Sequence, residues 1–283
     1  MIDKDKKILI VGLGLIGGSY AKKLVESGYE VGALDINNDS IEYALNNGII
    51  TSGKVLIEKE YIEKFDIIIF ALYPSKFVEW LKNYGHYMKK GTIILDVIGI
   101  KTYLINNAVP LIKDDVYYVS THPMAGKETS GIINSDANIF KGANYIITPT
   151  SKSNDESISV AKFIGILLGF KNIVTLDEKE HDEMIGFLSQ LTHCIAISLM
   201  SCKESKDLVY FTGDSFRDLT RIARINENMW SELFSLNKDE LLLQMKIFNE
   251  QFNKLKSYIE EDKIEEVKDM MRISTTRRKY FDK

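Results

Sequence analysis

Proline and cysteine are both scarce in this 283-residue chain, and long apolar runs are absent. The two cysteines, Cys194 and Cys202, match no metal-binding or redox spacing. They read as buried, reduced thiols, which fits a reducing cytoplasm. No apolar stretch is long enough to span a bilayer, and the N-terminal residues enter a strand without the apolar core of a signal peptide. A cytoplasmic protein with no membrane partner is the expectation. The formal net charge of −4 gives no global attraction to nucleic acid. All four prolines (Pro74, Pro110, Pro123 and Pro149) lie in the first part of the chain.

What is present divides at that point. Residues 7–11, 30–34, 66–72, 92–95, 116–119 and 144–147 are strand-like and continuously apolar rather than alternating. That pattern implies burial on both faces of a mostly parallel sheet. Helix-like runs such as 16–27 and 39–47 separate the strands, which predicts a doubly wound α/β sheet. One more helix (157–168) and a short strand (172–175) follow. Beyond Asp177 only helical periodicity remains. The reading is an α/β domain over 1–177 and an all-helical domain over 178–283. The second is small and rich in apolar positions, so it is expected to pack against a second copy.

Gly12-Leu13-Gly14-Leu15-Ile16-Gly17 follows the first strand and opens a helix. Gly12 permits the tight turn, Gly14 lets the backbone approach a pyrophosphate, and Gly17 lets helix and strand pack closely. The phosphates would sit on the free N–H groups at the helix N-terminus. Asp35 closes the second strand roughly 20 residues on, as a ribose-binding carboxylate should. It would repel a 2′-phosphate, and Ile36, Asn37 and Asn38 offer no arginine to receive one. NAD is expected over NADP, and no metal.

His122 ends an apolar run and precedes Pro123, which forces it out of the helical region and onto an extended turn. Beside a nicotinamide site it reads as a general base. His193 falls in a helical stretch whose face Ile185, Leu188, Leu191 and Ile195 looks like core; a core histidine and a ligand contact are equally compatible. His181-Asp182 reads as a helix start with a capping role. Arg217, Arg221 and Arg224 share one face of a helix beginning near Asp214. They form either a solvated stripe paired with Asp218 or an anion-binding face.

Taken in order, these motifs resemble the prephenate dehydrogenase family. The resemblance rests on Gly12-x-Gly14-x-x-Gly17, His122-Pro-Met-Ala-Gly126 with Glu128, His181-Asp182, Ser189-x-x-x-His193, Phe216-Arg-Asp-x-Thr-Arg-Ile-Ala223 and Trp230. It implies a Rossmann domain, a helical dimerisation domain forming a homodimer, and NAD-dependent oxidative decarboxylation of the small molecule prephenate to 4-hydroxyphenylpyruvate. It also implies that His122 is catalytic and that Arg221 holds a substrate carboxylate. Ser189 and His193 would line the substrate pocket, with Glu128 and Asp218 near its mouth. One departure stands out: where the family often carries serine in Asp-x-x-Ser-x-Lys, this chain has Gly99 within Asp96-Val-Ile-Gly-Ile-Lys101. The serine's hydrogen bond is then either absent or supplied by backbone N–H or water. The competing readings are an arogenate dehydrogenase, another two-domain dehydrogenase acting on a hydroxy acid, and a non-catalytic NAD-binding dimer that senses redox state.

Overall fold

The structure, a computed structural model, describes residues 2–282. Among the described residues, eight strands form one sheet: β1 (Ile8–Val11), β2 (Val31–Leu34), β3 (Ser52–Lys54), β4 (Ile67–Phe70), β5 (Ile93–Asp96), β6 (Tyr117–Met124), β7 (Asn144–Pro149) and β8 (Asn172–Thr175). Their order is β3-β2-β1-β4-β5-β6-β7-β8. The ladders from β3 to β6 are parallel; β7 runs antiparallel to β6, and β8 parallel to β7. The strand order runs outward in opposite senses on the two sides of β1, so the crevice at the C-terminal ends of β1 and β4 is the switch point where such sheets bind ligands.

Helices α1 (Leu15–Glu26), α2 (Asn38–Asn46), α3 (Lys59–Ile62), α4 (Pro74–Tyr84), α5 (Thr102–Ala108) and α6 (Asp155–Leu168) cover both faces. Successive strand residues feed opposite layers. Ile8 and Ile10 pack with Tyr20 and Leu24 of α1 and Ile164 of α6. Leu9 and Val11 pack with Phe77 and Trp80 of α4 and Leu104 of α5. The short β3 was not anticipated, because Ser52-Gly53-Lys54 has neither apolar side chains nor β-branching to mark it.

Beyond β8 the chain is helical: α7 (Glu178–Ile185), a π turn (Gly186–Leu191), α8 (Thr192–Ser201), α9 (Asp214–Thr220), α10 (Glu227–Leu236), α11 (Lys238–Glu260) and α12 (Ile264–Arg278). The π turn joins α7 and α8 into one helix over Glu178–Ser201. By length and composition alone that helix could cross a membrane, which differs from the sequence expectation. Its polar residues His181, Asp182 and Gln190 are nevertheless buried against the rest of the molecule. The cysteines also differ from expectation: Cys194, in α8, is half-buried, and Cys202, at its C-terminal end, is exposed. Phe187, Leu242, Leu243, Ile247 and Phe252 are exposed too. An apolar surface of this extent marks an interaction face.

Candidate functional site

The glycine turn is shaped by close approach. Gly12 has φ +97°, and a Cβ there would lie 2.5 Å from the Ala71 carbonyl oxygen. A Cβ on Gly17 would lie 1.9 Å from the Gly12 oxygen. Neither position accepts a side chain. Gly14 is the opposite case: an added Cβ meets nothing within 4 Å. This open flank lies at the N-terminus of α1, which has no side-chain cap. Leu13, Leu15 and Ile16 pack into the core, so what Leu15 and Ile16 can offer a ligand is backbone N–H. Asp35 is held beside the turn, accepting from Leu13 N at 2.6 Å and Asn37 N at 2.8 Å. Open space, unpaired N–H groups and a fixed carboxylate fit a dinucleotide.

His122 lies in β6 itself, not on a turn after it. β5 pairs with β6 only as far as Ser120, and the rest of β6 continues against β7 alone. A residue without N–H is tolerated there, which is why Pro123 does not end the strand. The strand therefore carries His122 past the parallel sheet. Its Nδ1 lies 2.9 Å from Nε2 of His181 on α7, and His181 Nδ1 lies 2.8 Å from Asp182 Oδ1. The Asp182 carboxylate also accepts Lys101 N at 2.8 Å and Thr102 N at 2.7 Å. An ionised carboxylate only accepts, so His181 Nδ1 must donate. His181 Nε2 is then an acceptor, and His122 Nδ1 donates to it. This leaves His122 Nε2 with a free lone pair. That nitrogen faces Gly99, where a Cβ would lie 3.5 Å away.

A buried cluster supports this line. The Lys101 ammonium, fully buried, donates to Asp96 Oδ1 at 2.9 Å, Ile98 O at 2.6 Å and Thr121 O at 2.7 Å. All three of its donors are satisfied. Asp96 in turn accepts from Tyr118 Oη at 2.8 Å and from Ser120 Oγ. Burial, then the neighbouring His181 and the Lys101 charge, push His122 well below the ordinary histidine pKa. Burial also lowers His181, against the pull of Asp182. Burial pushes the Asp182 carboxyl up, but the hydrogen bonds from His181 and Thr102 outweigh it and hold it below the usual carboxylate range.

The helical half carries a second group of polar and aromatic side chains. His193 Nδ1 lies 2.8 Å from the Ser189 carbonyl oxygen, and its ring lies against Trp230 with centroids 3.6 Å apart and planes tilted by 30°. Burial lowers its pKa, and the charges of Glu128 and Arg221 both act on it. Arg221 forms an ion pair with Glu128, on the loop that follows β6. The guanidinium thus reaches across to the segment carrying His122. Glu232 of α10 accepts from Ser75 N at 2.6 Å, and Asn226, which caps α10, donates to Tyr73 Oη at 3.1 Å, tying α10 to the start of α4 and the residue before it.

Three expectations change. His181-Asp182 is not a cap: Asp177 caps α7 in a capping box with Glu180, and His181 is wholly buried against His122. The arginines form no single stripe, because α9 stops at Thr220 and Arg221 begins a 3₁₀ turn. Arg217 bonds locally to Asp214 and Thr212, while Asp218 is exposed and joins none of these bonds. The face through Leu188 is not core: Ile185 and Leu191 are buried, but Leu188 is exposed because the π turn shifts the helical phase. The signal for the buried cluster was a charged pair, Asp96 and Lys101, inside an apolar stretch.

The profile described as "Prephenate dehydrogenase, nucleotide-binding domain" matches residues 20–174, and "Prephenate dehydrogenase, dimerization domain" matches 177–273. The glycine turn precedes the matched range and stands on its own geometry. A prephenate dehydrogenase of Lactococcus lactis is 32% identical over 88% of this chain and 70% of its own length. One from Bacillus subtilis is 28% identical over 97% of this chain and 75% of its own. The crystal structure of prephenate dehydrogenase from A. aeolicus, in complex with hydroxyphenyl propionate and NAD+, superposes with a TM-score of 0.88 at 28% identity, covering 98% of each chain. The chain belongs to the prephenate dehydrogenase family.

Proposed function

We propose that this chain catalyses the NAD-dependent oxidative decarboxylation of prephenate to 4-hydroxyphenylpyruvate, as a homodimer built through residues 178–283 and with a cofactor domain over 1–177. The observation that carries this reading is the bare Nε2 of His122, directed away from its His181 partner and beside Gly99. Bound NAD+ supplies the hydride acceptor. Gly14, the α1 N-terminus and Asp35 hold that cofactor. His122 accepts the proton of the substrate ring hydroxyl, and His181 with Asp182 fix its tautomer and stabilise the imidazolium that forms. Gly99 leaves space beside Nε2 for that hydroxyl or a water molecule. Arg221 takes a substrate carboxylate, for which its planar fork is suited. Ser189, His193 and Trp230 line the pocket, and Asp218 lies at its outer edge. Loss of CO2 aromatises the ring and makes the reaction irreversible, and the phenolic oxygen takes its proton back from the His122 imidazolium.

The Arg221–Glu128 pair means that a substrate carboxylate displaces Glu128 to reach the guanidinium. Arg221→Ala is therefore expected to raise KM for prephenate by about 10–100-fold, the worth of one charge-assisted contact. Glu128→Gln is expected to lower KM, because the competing carboxylate is gone. Steady-state kinetics of both variants check this, and an unchanged KM in Arg221→Ala would remove Arg221 from the site. The test of the reaction itself is direct. Purified protein with NAD+ and prephenate is expected to produce NADH; absence of NADH with prephenate, and formation with arogenate, would transfer the assignment to the amino analogue. Absence with both would leave a nucleotide-binding dimer.

A further inference from the structure

The helix Glu178–Ser201 carries two histidines with different tasks, His181 toward His122 and His193 toward Trp230. In an uninterrupted α-helix, residues twelve apart point about 120° away from each other. A π turn inserts one residue without advancing the helix, and the same two side chains then lie within about 20°. The burial pattern follows this shifted phase: Ile185 and Gly186 are buried, then Gln190 and Leu191, with Phe187 and Leu188 exposed between. π turns are intrinsically poor, so something must hold this one.

Two buried amides do so. Asn237, between α10 and α11, donates from Nδ2 to the Asp182 carbonyl oxygen at 3.0 Å and to Gln190 Oε1 at 2.9 Å. Gln190 Nε2 donates to the Leu233 carbonyl oxygen at 3.1 Å. Gln190 is 1% exposed and Asn237 6%. The pair thus joins the backbone of Asp182 before the π turn, a side chain within it, and the α10 backbone next to Trp230. Gly186, at the start of the π turn, faces Gln244, Glu240 and Asn237, which an added Cβ would meet at ordinary contact distances of 3.5–3.7 Å.

We infer that Gln190 and Asn237 are positioning residues that hold the π turn in register, and so align the His122–His181–Asp182 line with the His193–Trp230 pocket. The inference rests on the proposed function for its kinetic consequence, but not for its structural one. The experiment uses Gln190→Met, which keeps length and removes both hydrogen bonds, in a Trp80→Phe background where Trp230 is the remaining tryptophan. Protonated imidazole quenches a stacked indole, so the parent Trp80→Phe chain is expected to lose Trp230 fluorescence as pH falls through the His193 titration. In Gln190→Met that acid quenching should vanish while NAD+ affinity stays within about twofold. Misplacement of the pocket should lower kcat/KM for prephenate by about 10²-fold.

Gln190→Glu keeps the acceptor for Asn237 and loses the donor to Leu233, so it should fall between the two. It also carries the test if Gln190→Met does not fold. Retained quenching and parental kinetics in a folded variant would overturn the inference. So would failure of both variants to fold, which would make the amides core groups rather than phase-setters. If the parent chain makes no NADH, the proposed reaction fails, while the fluorescence comparison still decides the role of the pair.

Discussion

His122→Asn is expected to lower turnover by about 10²–10⁴-fold, the usual contribution of a positioned general base. The asparagine can still donate toward His181, so the local fold should survive. What it lacks is the lone pair at Nε2. The effect should therefore appear in kcat, with little change in NAD+ affinity, since the cofactor turn is built from β1, α1 and Asp35. The wild-type pH profile carries the same signature. The base works only unprotonated, and burial with two neighbouring cationic or titratable groups lowers its pKa. A lowered pKa keeps the ring neutral to lower pH. The acid limb of kcat/KM should thus fall below pH 6.5, the ordinary histidine value. Near-normal turnover in His122→Asn would remove this residue from the mechanism.

Asp182→Asn is expected to cost nearly as much, again about 10²–10⁴-fold in kcat, by analogy with a triad whose aspartate fixes the tautomer. The carboxylate accepts from His181 Nδ1, Lys101 N and Thr102 N. An amide in its place must turn its NH2 toward one of these donors. If it faces His181, the ring pair flips and His122 Nε2 acquires the proton. If it faces Thr102, a buried N–H loses its acceptor, a loss worth about 1–3 kcal/mol of stability. A structural role alone would lower the melting temperature and leave the pH profile in place. Here kcat should fall across the whole pH range, because the flipped pair leaves no lone pair at His122 Nε2. Unchanged kcat in a folded Asp182→Asn chain would show that the second histidine and its carboxylate are only packing.

The sheet was legible because its strands are short continuous apolar runs, and 66–72 and 92–95 could hardly be anything else. The cofactor turn was legible because each glycine answers to a separate contact, to Ala71, to open space and to Gly12. His122 was found for its neighbourhood, but its strand was not, since a proline ordinarily argues against continuation. The capping expectation for His181 fails because Asp177, four residues earlier, takes that role. The inner line from Asp182 to His122 joins residues about 60 apart in sequence, and no local pattern encodes such a meeting. The π turn was invisible for a related reason: the face through Ile185, Leu188, Leu191 and Ile195 assumed one constant period, and the period changes at Gly186. The interruption at Thr220 likewise broke an arginine stripe that spacing alone had drawn.

Everything proposed for the reaction depends on which imidazole nitrogen of His122 is bare. Nitrogen NMR of the histidine-labelled protein at neutral pH, with the His122 signals assigned by their loss in His122→Asn, reads this directly. A neutral ring protonated at Nδ1, with Nε2 unprotonated, is expected. A proton on Nε2, in either the opposite neutral tautomer or the imidazolium, would contradict it.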